Sequence, residues 1–75
     1  MKSDLTGKLI YNTHRNIIGM IVGKTVYGHG KLKDLDDWDV DWYHVDGVEK
    51  TAIGRGALEY FIADYEDYKR YIAEI

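Results

Sequence analysis

The chain has 75 residues, no cysteine, no proline and a formal net charge of -3; it has room for one small domain and cannot draw stability from disulfides or thiolate metal sites. With 45% hydrophobic and 13% aromatic residues, its composition is globular and not disordered. The apolar runs are too short for a transmembrane helix and the first residues lack a signal-peptide core, so a cytoplasmic location without a membrane partner is expected.

Charge is divided unevenly along the chain. Residues 1–33 carry six basic side chains against Asp4 alone, and residues 34–75 carry twelve acids against four basic side chains. Such a split marks opposed binding faces in some proteins. In a small barrel the halves more often interleave, and exposed charges then contribute little.

In chain order, Gly7 to Asn12 ("GKLIYN") reads as a short strand ended by a polar cluster from Asn12 to Asn16. Ile17 to Tyr27 is β-branched and apolar on both parities, which suits a strand covered on both sides or strongly bent. Gly19 and Gly23 share one parity, as expected where a strand bends or another backbone comes close. Gly28 to Asp37 reads as a loop pinned by Leu32 and Leu35.

The next stretch, "LDDWDVDWYHVDG", alternates. Trp38, Val40 and Trp42 fall on one side of an extended strand, and Asp39, Asp41 and Tyr43 on the other. Asp46-Gly47 is a favoured two-residue turn because both positions tolerate positive φ. That turn sets Val45 against Val48, His44 against Glu49, Tyr43 against Lys50, Trp42 against Thr51, Asp41 against Ala52 and Val40 against Ile53. Trp38, Val40, Trp42 and Ile53 then share the core side.

Gly54 to Gly56 breaks the chain, and Ala57 to Ile62 reads as a last strand. From Asp64, a natural N-cap, to Ile75 the period becomes helical, with Tyr65, Tyr68, Tyr71, Ile72 and Ile75 on one stripe. The expected fold is mainly β plus one C-terminal α-helix: a single domain with a barrel of about five strands over 7–62, capped by a helix over 64–75.

The motifs "GKLI", "GMIV" and "DVDWYHVDG" resemble the pattern of SH3-like small β-barrel proteins often encoded by phages. The resemblance runs from about Gly7 to Ile62 and implies a binding module or structural part. The fold does not say which.

Several constellations of residues bear on chemistry. Asp37, Asp39 and Asp41 have the 1-3-5 spacing of a calcium loop, but Trp42 and Val48 stand where its glycine and glutamate belong. "GMIVGKT" is one residue too short for a phosphate-binding loop and is apolar inside. His14, His29 and His44 lack zinc-ligand spacing. Ser3 is the only serine and falls in a tail, and a small barrel has little depth for a pocket. No enzyme activity, metal or cofactor is expected.

What remains is binding. Non-catalytic contact with another protein, or with itself, is expected through Asp37, Asp39, Asp41 and Tyr43, as in a phage-type accessory or virion component. The alternative is single-stranded nucleic-acid binding through Lys8, Arg15, Lys24, Lys31 and Lys33, against which stands a pI near 5.5. A third possibility is an acidic inhibitor that mimics phosphate and blocks a DNA-binding protein. A solvated charged face explains the same residues without any ligand.

Overall fold

Strand β1 (Leu9–Asn12) and strand β2 (Ile17–Lys24) form an antiparallel hairpin whose connection is fixed by local hydrogen bonds. Asn12 Oδ1 accepts from the N–H groups of His14 (3.0 Å) and Arg15 (3.2 Å), an Asx-type turn. Asn16 takes a left-handed backbone, φ 54°, which asparagine tolerates better than most residues. Its side-chain oxygen accepts from the Tyr11 hydroxyl. The structure, a computed structural model, describes residues 4–26 and 35–74.

β2 pairs with β3 (Asp37–His44), and β3 with β4 (Gly47–Gly54), giving a four-stranded antiparallel sheet in the order β1-β2-β3-β4. The sheet is open. β1 and β4 are its two edges, and the expected five-stranded barrel over 7–62 is not formed by the described residues. The residues assigned to the fifth strand, Ala57 to Ile62, belong instead to helix α1, which runs from Arg55 to Glu74. Leu58, Phe61, Ile62 and Tyr65 recur at helical spacing, and on a helix Leu58 becomes fully buried with Phe61 and Ile62 packed beside it. Burying that stripe outweighs the strand-like look of a short apolar run.

The β3–β4 register also differs from expectation by two residues. His44 opposes Gly47, Tyr43 opposes Val48, Trp42 opposes Glu49, Asp41 opposes Lys50 and Trp38 opposes Ile53. The turn is therefore Val45-Asp46, and of the pair Asp46-Gly47 only Gly47 takes positive φ, at 156°. A two-residue shift preserves parity, so Trp38, Val40, Trp42 and Ile53 do share the core side.

The core consists of Leu5, Ile10, Ile21, Trp38, Val40, Trp42 and Leu58, with Ile17, Ile53, Phe61 and Ile62 around it. Each large side chain buried here is worth roughly 1.5–3 kcal/mol. Trp42 meets Phe61 edge-to-face at 5.5 Å and donates its indole N–H to Thr51 Oγ1 at 3.1 Å, so its polar atom is satisfied. Gly19 opposes Trp42, and a Cβ there would lie 2.8 Å from both the Asp41 carbonyl oxygen and the indole. A bulge between Ile21 and Gly23 then reverses parity, so Gly23 opposes Asp39 on the outer side and has open space around it.

α1 packs chiefly along β1. Its first half lies on the core side through Leu58 and Phe61. Tyr68 stacks on Tyr11 (4.4 Å, 17°), which points away from Ile10, so the helix rides over the β1 edge toward the other face. The last turns, with Tyr71 and Ile72, are exposed. No helix among the described residues is long and apolar enough to cross a membrane.

Candidate binding surface

The sheet face opposite the core is built by alternation. From β2 it takes Ile18, Met20 and the bulged Val22; from β3, Asp37, Asp39, Asp41 and Tyr43; from β4, Val48, Lys50 and Ala52. The four residues expected to make partner contact therefore do lie on one face of one strand. They are not equivalent. Asp37 is half-buried, with its carboxylate beside Gly54. Asp41 is half-buried and pairs with Lys50 at 3.4 Å, the residue directly opposite. Asp39 is exposed and accepts from Thr25 Oγ1 at 2.7 Å. Tyr43 is exposed between Ile18 and Val48.

Val22 and Val48 are about half exposed, at 47% and 52%. Between Val22, Asp39, Asp41, Lys50 and Ala52 lies a shallow concavity of about 400 Å³. The short side chain of Ala52 lies in its lining beside the longer Asp39 and Lys50. A second hollow of about 210 Å³ lies where the tyrosine stripe of α1 passes Ile18, lined by Tyr65, Tyr68, Lys69 and Ile72.

The basic residues of the nucleic-acid alternative are dispersed. Arg15 Nη2 donates to Glu49 Oε1 at 2.7 Å, and His44 Nε2 contacts the same oxygen at 2.9 Å. These hydrogen bonds, from Arg15 first and His44 second, hold the Glu49 carboxyl below its ordinary value. Lys24 sits at the far end of β2, where its ammonium donates to Asp36 Oδ1 at 2.9 Å. Lys8 is exposed near Ile21, and Lys31 and Lys33 lie outside the described residues.

Asp36 is the centre of a polar clasp that no linear spacing announces. Its carboxylate accepts from Lys24 Nζ (2.9 Å), the Trp38 indole N–H (2.9 Å) and Arg55 Nε (2.5 Å). Its carbonyl accepts from the Arg55 backbone N–H at 2.9 Å. Lys24 and Arg55 both stand 5.5 Å from the Trp38 ring centre. The clasp ties the ends of β2, β3 and β4 to the start of α1 and is structural in character.

Of the histidines, His14 is exposed in the β1–β2 connection, His44 belongs to the Glu49 pair, and His29 lies outside the described residues. Among the described residues no three His, Asp or Glu side chains converge as metal ligands would. No protein-family model, curated protein or solved structure matches this chain.

Proposed function

We propose that this protein is a non-catalytic binding module acting through the outer face of β2, β3 and β4, in the manner of a small phage-type accessory or virion component. One observation carries the reading: α1 packs on the core side and over β1, and on the other side Tyr43, Val22 and Val48 are left 42%, 47% and 52% exposed. Exposed aromatic and aliphatic groups interleaved with Asp39, Asp41 and Lys50 combine an apolar anchor with a charged surround, the composition of protein contact surfaces. The nucleic-acid reading is less well supported, since Arg15 and Lys24 are engaged by Glu49 and Asp36.

The test is site-specific photo-crosslinking in source cells, with the reactive group at position 43 or 48 and a control at Tyr71 on the exposed helix. Adducts from 43 and 48, reduced several-fold by Asp39→Lys/Asp41→Lys, are expected. Adducts from Tyr71 alone, or yields unchanged in the double variant, would refute the assignment.

A further inference from the structure

We infer that the binding partner is a second copy of the chain, joined edge to edge through β4 in an antiparallel, two-fold arrangement that extends this face across both copies. The inference rests on the binding reading above and specifies it.

The two sheet edges are treated differently by the fold. α1 lies along the short edge strand β1, of four residues. β4 is twice as long, eight residues from Gly47 to Gly54, contains no proline and has no register shift against β3. No described strand pairs with its outer side. Natural sheets ordinarily blunt a long regular edge of this kind, because its free N–H and C=O groups invite another strand.

The turn fixes which groups are free. His44 and Gly47 flank a two-residue connection, so they form the pair that exchanges both backbone hydrogen bonds. The alternation then turns the N–H and C=O groups of Gly47, Glu49, Thr51 and Ile53 toward β3. Those of Val48, Lys50 and Ala52 face outward, as does the Gly54 N–H, while the Gly54 carbonyl begins the hydrogen bonding of α1.

Two copies can match these groups about a two-fold axis at Thr51. Val48 then opposes Gly54 of the second copy, and Lys50 opposes its Ala52. Moving the axis to Lys50 would set Lys50 against itself, which like charges disfavour. In the Thr51 register the outer faces continue into one another, because opposed residues share a side. Lys50 crosses the small Ala52 of its neighbour toward the strand beyond, where Asp39 directly flanks Ala52. The hollow over Ala52 and Asp39 receives that ammonium. Symmetry repeats the contact, giving two Lys50–Asp39 pairs between copies, each made by turning Lys50 away from its 3.4 Å pairing with Asp41 of its own chain.

Solution mass over a wide concentration range tests this directly, with charge swaps as the probe. The wild-type mass should rise from 8.7 kDa toward twice that value. Lys50→Asp or Asp39→Lys, each changing both symmetric contacts, should weaken association about tenfold. The double variant Lys50→Asp/Asp39→Lys should recover most of it. Amide exchange supplies a readout independent of the swaps: Val48, Lys50, Ala52 and Gly54 should gain protection with concentration. A mass of one chain at all concentrations overturns the inference, as does dimerisation without protection of these four amides. Outer-face adducts to other proteins with a monomeric mass would overturn the dimer and leave the binding reading standing. No adducts from 43, together with a dimeric mass and protection of the four amides, would remove the outer-face reading and leave the edge pairing standing.

Discussion

Gly19→Ala is the sharpest test of how the sheet packs. A methyl group there would stand 2.8 Å from the Asp41 carbonyl oxygen and 2.8 Å from Trp42 Cε3. Ordinary contact begins near 3.4 Å, so the overlap is about 0.6 Å against two groups at once. One is backbone of the neighbouring strand, and the other belongs to a tryptophan held by Phe61 and Thr51. Overpacking of this kind costs about 1–3 kcal/mol, and the stiffer unfolded chain returns about 0.4–1 kcal/mol. A net loss of about 1–2 kcal/mol is expected, which for a domain of this size lowers Tm by about 4–16 °C. The control is Gly23→Ala. Gly23 has the same sequence parity, but nothing lies within 4 Å of a Cβ there. That variant should be neutral or slightly more stable. Urea melts of both variants against wild type provide the measurement; Gly19→Ala as stable as Gly23→Ala would refute the placement of β2 against β3.

Other substitutions address the remaining supports of the fold. Leu58→Ala, in the helix where a fifth strand was expected, should cost about 2–5 kcal/mol in urea denaturation, because Leu58 is fully buried. Asp36→Ala should cost about 2–3 kcal/mol by the same assay, since it leaves Arg55 and the Trp38 indole without their shared acceptor. A double-mutant cycle on Tyr11 and Tyr68 should give a coupling of about 0.5–1.5 kcal/mol if the rings stack as described. Glu49 governs a pH effect. Its folded-state value is depressed below the ordinary 4.5, so its contribution is present above that pH and lost as pH falls through the lower folded value. Thermal melts from pH 6 to pH 3 should show a shallower decline for Glu49→Gln than for wild type.

Strand β3 was legible because its alternation is strict. Trp38, Val40 and Trp42 point inward and Asp39, Asp41 and Tyr43 outward, whatever the details of the turn. The turn itself was misplaced because Asp46-Gly47 suits positive φ at both positions, while the chain places only Gly47 there. Ala57 to Ile62 is short enough to satisfy either period, and only the position of Leu58 over the core decides for helix. A bulge leaves no trace in linear spacing, so Gly19 and Gly23 looked alike until Val22 reversed their faces. The Asp36 clasp draws on residues 24, 38 and 55, and no local pattern joins positions so far apart. The binding face was thus readable in its direction and not in its neighbours. Lys50 and Ala52 share that face in the expected register as well, opposite Tyr43 and Asp41, and the observed register sets them opposite Asp41 and Asp39; Val22 joins it only through the bulge.

The placement of α1 over β1 also sets an upper bound on assembly. A sheet with two bare edges is a bifunctional unit, and each addition leaves a fresh end for the next. Here one end is stoppered by the chain's own helix, which makes the molecule monofunctional in strand addition. In the dimer inferred above, two such units would consume both reactive edges, and growth would terminate at the pair.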